Sequence, residues 1–204
     1  MVLINQDAFA IEEEAVSSLE NACVNSAVEA KPQAAPARVG LRCSLAKSLE
    51  HVEWFGRSPH ESYVDHFISA RVGRFAGPIL DQTFKYVRPQ ENGNKHETRW
   101  MALRTAKAAS GLLVRAEGAP CGMRCHRYAL ADFDGSRIIQ QQKVRHGGEL
   151  EPRPETVLCV DAAQMGVGGI DSWGAKPLTQ HLRSKTEPLS WAFRFVSLAA
   201  DAKL

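Results

Sequence analysis

The sequence predicts an all-β fold, an antiparallel β-sandwich, and three observations carry that reading. From Ala37 onward apolar residues recur with period two in short runs. Glycine and proline interrupt those runs at strand-length spacing. No stretch beyond Ala37 sustains the three-to-four-residue apolar spacing of a long helix.

Residues 1–36 stand apart. Glu12–Glu20 has weak helical spacing, with Val16 and Leu19 three apart and acidic residues early. Ala30-Lys31-Pro32-Gln33-Ala34-Ala35-Pro36 reads as an extended linker, because proline disfavours both helix and ladder. The expectation is a poorly packed or partly helical N-terminal segment over 1–36, then one sandwich domain over 37–204.

In Val39-Gly40-Leu41-Arg42-Cys43-Ser44-Leu45, alternation places Val39, Leu41, Cys43 and Leu45 on one face. Val52-Glu53-Trp54 alternates briefly before Gly56. Thr98–Leu103 is a strand-length mixed run, and Ala102–Ala109 has enough helix formers for a turn that Ser110-Gly111 would end. Gly111–Ala116 is a further strand, closed by Gly118 and Pro120. Thr156–Asp161 reads as a strand buried on both faces. In Ser190–Val196, Trp191, Phe193 and Phe195 share one side. Two stretches are poor in strand signal, 55–94 and 164–177, and long loops on a rigid sandwich are where binding residues sit.

Composition narrows the function classes. Apolar residues make up 44% and charged residues 24%, ordinary for a globular chain, so disorder, collagen and coiled coil are excluded. The net charge of +2 gives no electrostatic case for nucleic acid or an anionic membrane. No run approaches the ~20 apolar residues of a membrane span. The first ten residues lack a basic region followed by an apolar one, so a cytoplasmic location is expected. The five cysteines, Cys23, Cys43, Cys121, Cys125 and Cys159, are odd in number and scattered, which reads as reduced thiols. Cys121-x-x-x-Cys125-His126 lacks the second ligand pair of a zinc site, so buried thiols on a strand are expected and no metal is assigned.

Three loops hold the candidate residues. In Gln164–Gly174 the cluster Gly166, Gly168 and Gly169 is not followed by a helix or a Lys-Ser/Thr pair, which disfavours phosphate binding. Glycines allow positive φ in a tight loop that ends on Trp173, whose indole face suits a sugar ring; from these residues alone, a Trp capping the core edge is the better reading. In Arg88-Pro89-Gln90-Glu91-Asn92-Gly93-Asn94-Lys95, Asn92-Gly93 marks a turn, across which Arg88 and Glu91 can pair while Asn92 bonds backbone. Locally this is a polar scaffold loop. In Glu53–Tyr63, His60 and Glu61 invite an acid–base reading, but adjacent residues of an extended chain point apart, so a structural loop with a buried Trp54 is favoured. There is no Gly-x-Ser-x-Gly elbow, and no carboxylate pair can be placed at glycosidase separation.

Together, "ARVGLRC-L" from Ala37, "VEWFGRSPHESY", "YVRPQENGNK" followed by Arg99-Trp100, and "QMGVGGIDSWG" resemble, in order and spacing, the C-terminal β-sandwich (small chain) of family 2 β-galactosidases over about residues 33–198. The resemblance implies a galactose-mutarotase-like supersandwich, N-terminally incomplete here, because the family's sandwich begins further upstream. It implies a part of a retaining glycosidase that hydrolyses terminal β-D-galactosides. The two catalytic glutamates lie on a (β/α)₈ barrel carried by another chain, so no catalytic residue falls here and the isolated chain is expected to be inactive. Trp173 becomes the substrate-binding platform on an active-site rim loop, with Asp171, Gly168, Gly169, Arg88, Glu91 and Asn92 supporting the loops. Mg²⁺ and Na⁺ belong in and around the barrel, with no cofactor on this chain. The implied partners are the β-galactoside and the barrel-bearing chain. Departures are Ile170, where the family has Asp, and Ser58, Ser62, Val64 and His66 in the "GRSPHESY" region. The alternatives are a stand-alone carbohydrate-binding sandwich and a truncated, non-functional copy.

Overall fold

A computed structural model of the protein describes residues 9–11, 23–28, 37–106, 110–133, 138–139, 142–143, 146–169, 175–183, 189–200, 202 and 204. Among them the fold is all-β. In chain order the strands are β1 (Phe9–Ile11), β2 (Cys23–Val28), β3 (Arg38–Leu45), β4 (Leu49–Ser58), β5 (Arg71–Pro78), β6 (Lys95–Thr98), β7 (Trp100–Thr105), β8 (Ser110–Glu117), β9 (Cys121–His126), β10 (Ile138–Ile139), β11 (Gln142–Lys143), β12 (Thr156–Gln164) and β13 (Leu189–Ala199). The only helical pieces among the described residues are 3₁₀ turns. No helix among them is long and apolar enough to cross a membrane.

Two sheets make the sandwich. One has five strands in the order β1-β3-β12-β9-β6, the other six in the order β2-β13-β8-β7-β4-β5. Pairing is antiparallel apart from β1, which runs parallel to β3 at the edge of the first sheet. Side chains alternate across each strand, so one face of each sheet meets the other. Cys43, Leu45, Met123, Leu158 and Val160 from the first sheet pack on Val52, Trp54, Met101, Leu103, Leu112, Val114, Phe193 and Phe195 from the second. The alternation expected in β3 and β13 is the one observed.

Four differences have local physical reasons. The described parts of 1–36 are packed strands: β1 pairs with β3 and β2 with β13, so those segments extend the two sheets, while the helical spacing at Glu12–Glu20 and the linker at 30–36 lie outside the described residues. The strand-poor stretch 55–94 contains β5 and the end of β4. β5 (RVGRFAGP) is an edge strand alternating between exposed and half-buried residues, so it carries no apolar signature. The run Thr98–Leu103 is split, because the chain crosses from one sheet to the other at Arg99, whose N–H donates to the Phe55 carbonyl. The stretch 102–109 begins as β7, not as a helical turn. β12 is buried on both faces as expected: Leu158 and Val160 face the core, while Cys159 and Asp161 are buried on the outer face of the five-stranded sheet.

Candidate functional site

That outer face carries polar residues. In β9, period two sends Cys121, Met123 and Cys125 into the core and Arg124 and His126 outward. Yet both outward side chains are fully buried. The loop 83–94 covers them.

His126 fixes the loop at two points. The Thr83 hydroxyl donates to its Nδ1 at 2.9 Å, and its Nε2–H donates to the Asn92 carbonyl at 3.0 Å. Acceptance at Nδ1 requires the neutral ring, since both nitrogens donate in the imidazolium. Burial lowers its pKa to about 3, with Lys95 and Arg38 acting in the same direction. Asn92 closes the loop on itself: its Oδ1 accepts from Phe84 N–H at 2.8 Å and its Nδ2 donates to the Phe84 carbonyl at 2.5 Å. Gly93 has φ of 73°, and a Cβ there would lie 2.4 Å from His126 Cε1. Glycine is therefore required for both conformation and space.

Glu91 is the hub of a charge cluster. Its Oε1 receives Arg38 Nη2 at 2.6 Å and a short bond from Arg124 Nη1. Arg38 Nε also lies 3.2 Å from Asp161 Oδ2. Burial, with Glu91 as a nearby like charge, pushes Asp161 up to about 7 against the pull of Arg38. The expected Arg88–Glu91 pair is not the one formed: Arg88 is exposed, and the partners of Glu91 come from β3 and β9.

The loop after β4 is tied to the same structure. Glu61 Oε2 accepts from Gly93 N–H at 2.7 Å, and its Oε1 accepts from the Tyr86 hydroxyl in a short bond. Ser62 N–H donates to the Asn94 carbonyl at 2.8 Å, and Asn94 Nδ2 returns a bond to the Ser62 carbonyl at 2.9 Å. His60 bonds Ser69 at 2.9 Å, so His60 and Glu61 form no acid–base pair.

The third loop follows β12. Gly168 and Gly169 have φ of 70° and 94°, the left-handed conformation expected of the glycine cluster, whereas Gly166 does not share it. Asp65 anchors this loop: its carboxylate accepts from Val167 N–H at 3.1 Å and from Gly168 N–H at 2.8 Å. Gly166 N–H donates to the His181 carbonyl at 2.8 Å. The expected platform Trp173 and its neighbour Asp171 lie outside the described residues, which stop at Gly169 and resume at Ala175.

Thus Glu91, Asn92 and Gly93 meet around Arg124 and His126, while Gly168 and Gly169 stand in a second loop held by Asp65. Sequence reasoning missed Asp65, Arg38, Arg124 and Asp161. A lone acid in "YVDH" and arginines on alternating strands give no local signal, because their partners are far away in the chain. Among the described residues no three His, Cys, Asp or Glu side chains gather within metal-binding reach. Cys121 and Cys125 are buried in β9.

Comparison with known proteins adds a family. The profile of a family described as β-galactosidase small chain matches residues 10–195. The match takes in residues 10–32, upstream of the expected start at 33. Among curated relatives, β-galactosidase 2 of Enterobacter cloacae is 36% identical over 140 residues, 68% of this chain and 12% of its own length. The β-galactosidase of Vibrio cholerae serotype O1 is 35% identical over 136 residues, 67% of this chain and 12% of its own. That of Lactococcus lactis subsp. lactis is 34% identical over 150 residues, 74% of this chain and 14% of its own. The chain thus spans only 12–14% of the length of these relatives.

Proposed function

The chain belongs to the β-galactosidase small-chain family, and on that premise we propose that it is the C-terminal part of a retaining β-galactosidase. It supplies an active-site rim loop for hydrolysis of terminal β-D-galactosides. The carrying observation is the family match over residues 10–195. The acid and the nucleophile, two carboxylates ~5–5.5 Å apart in a retaining enzyme, come from a barrel outside these 204 residues. Mg²⁺ and Na⁺ bind with that barrel.

In this reading Trp173 is the sugar platform. Its loop leaves β12 through Gly168 and Gly169 and is tethered by Asp65, so the rigid sandwich sets where the loop begins. An indole face on the C–H face of a sugar contributes on the order of 1 kcal/mol and moves no proton. The complete enzyme works in the cytoplasm.

The test is reconstitution. The chain is mixed with a β-galactosidase lacking its last domain, and turnover of a chromogenic β-galactoside is followed. Activity should appear on mixing and be absent from the chain alone. Trp173→Ala should raise KM several-fold with a smaller effect on kcat, as expected for lost uniform binding of about 1 kcal/mol. No gain of activity on mixing, or an unchanged KM in Trp173→Ala, would overturn the reading.

A further inference from the structure

A cavity of about 440 Å³ opens where the loop after β4 meets the loop before β6. Its volume falls within the roughly 300–1,000 Å³ usual for small-ligand pockets. Three features of its lining define what it can hold.

The first is a donor. Lys95 is 4% exposed, and its ammonium lies 5.0 Å from the centre of the Trp54 ring. Among the described residues that π-contact is its only direct partner, with no hydrogen bond or ion pair. Its three N–H donors therefore face the cavity, where a ligand can supply the acceptor. Burial also lowers the Lys95 pKa. The second feature is a set of acceptors. Glu61 lines the same cavity, fixed by Gly93 N–H and Tyr86, and Asp81 is an exposed carboxylate in the lining. The third is aromatic carbon: Phe84 is 63% exposed and packs 4.7 Å from Tyr86, centre to centre.

These features exclude most ligand classes. An anion would pair with Lys95 but face the carboxylates of Glu61 and Asp81. A cation would meet Lys95. A wholly apolar molecule would leave the ammonium unpaired. A ring bearing hydroxyls, which donate and accept, and presenting a C–H face to aromatic carbon satisfies all three walls. We propose that this cavity binds a single neutral pyranose, with Lys95 donating to one hydroxyl, Glu61 accepting from another, and Phe84 and Tyr86 covering the C–H face. The inference does not depend on the hydrolytic reading, because the sample is this chain alone and turnover is not the readout.

Binding of methyl β-D-galactopyranoside and methyl α-D-glucopyranoside is measured by ligand-observed saturation-transfer NMR and calorimetry, with sodium acetate as the anionic probe. Variants are Lys95→Met, Phe84→Ala and Trp173→Ala, each checked for its β-sheet circular dichroism. At least one glycoside should bind saturably. Lys95→Met should weaken it by about tenfold or more, the loss of a hydrogen bond to a charged donor. Phe84→Ala, a change at an exposed side chain, should weaken it about three- to tenfold and keeps the test open if Lys95→Met does not fold. No saturable glycoside binding, acetate binding in its place, or glycoside binding lost in Trp173→Ala but kept in Lys95→Met and Phe84→Ala would overturn the assignment.

Discussion

Replacing Glu91 with Gln removes one charge and almost no volume, so it isolates the electrostatics of the cluster beneath the 83–94 loop. Arg124 is fully buried; its Nη1 donates to Glu91 and to the Asn92 carbonyl, while its Nε and Nη2 have no hydrogen-bond partner among the described residues. Breaking a buried ion pair from one side costs about 3–5 kcal/mol, because the remaining charge stays desolvated. Two features reduce that figure. The Glu91 side chain is 30% exposed, so water already screens it in part. Asp161 also lies beside Arg38, and without the like charge of Glu91 it ionises more readily and replaces part of the lost counter-charge. A cost of about 2 kcal/mol is therefore expected at pH 7.

The pH dependence follows from linkage. In the parent, Asp161 is pushed up to about 7 from an ordinary carboxyl value, so the folded state holds a proton that the unfolded state has released. That contribution is present below the unfolded pKa and is lost as pH rises towards 7. In Glu91→Gln the folded pKa of Asp161 falls, this loss shrinks, and the cost of the substitution is larger at pH 5 than at pH 7. Urea denaturation followed by tryptophan fluorescence at both pH values measures it. A variant within about 0.5 kcal/mol of the parent at both, the ordinary scatter of surface substitutions, would refute the reasoning.

Gly93→Ala must place a residue at φ of 73° and a Cβ 2.4 Å from His126 Cε1; left-handed strain of ~1–2 kcal/mol plus overpacking of ~1–3 predicts a loss of about 3 kcal/mol, read as a lower urea midpoint at constant slope. For His126, whose pKa is lowered to about 3, the unfolded state takes up a proton below its ordinary value that the folded state refuses. Its contribution is complete above that value and lost as pH falls towards 3; the imidazole resonances of His126 should accordingly stay at their neutral shifts between pH 7.5 and 5 (a range set by the usual His titration near 6.5), and titration there would contradict the assignment. Asp65→Ala removes two backbone hydrogen bonds, at 3.1 and 2.8 Å, each contributing about 0.5–1.5 kcal/mol to holding the loop after β12. Amide exchange of Val167 and Gly168 should accelerate about tenfold or more while β12 stays protected; unchanged exchange would show that the tether is held elsewhere.

Local sequence determined the strands that face the core. In β3, and in β13 as far as Phe195, every second residue is apolar, and the apolar phase says which face is buried, because the side-chain period of a strand is fixed by its geometry. β12 declared its double burial through a continuous apolar run. The same reasoning placed positive φ at Gly168 and Gly169, where a missing Cβ is itself the signal. The order of four motifs pointed to the β-galactosidase family, and the match over residues 10–195 shows that membership. The tertiary structure decided what covers the outer face of the five-stranded sheet. Arg124 and His126 sit at outward positions of β9, where a sequence reader expects solvent, and they are buried only because the loop 83–94 folds over them. The three partners in the Glu91 cluster come from β3, β9 and β12, and Asp65 reaches a loop about a hundred residues away. β5 gives no apolar pattern, because an edge strand with glycines and arginines takes its place from ladder bonds to β4. Periodicity records the environment along one strand. Charge pairing and loop closure depend on which distant segments the packed sheets bring within a few ångströms, and no local pattern carries that distance.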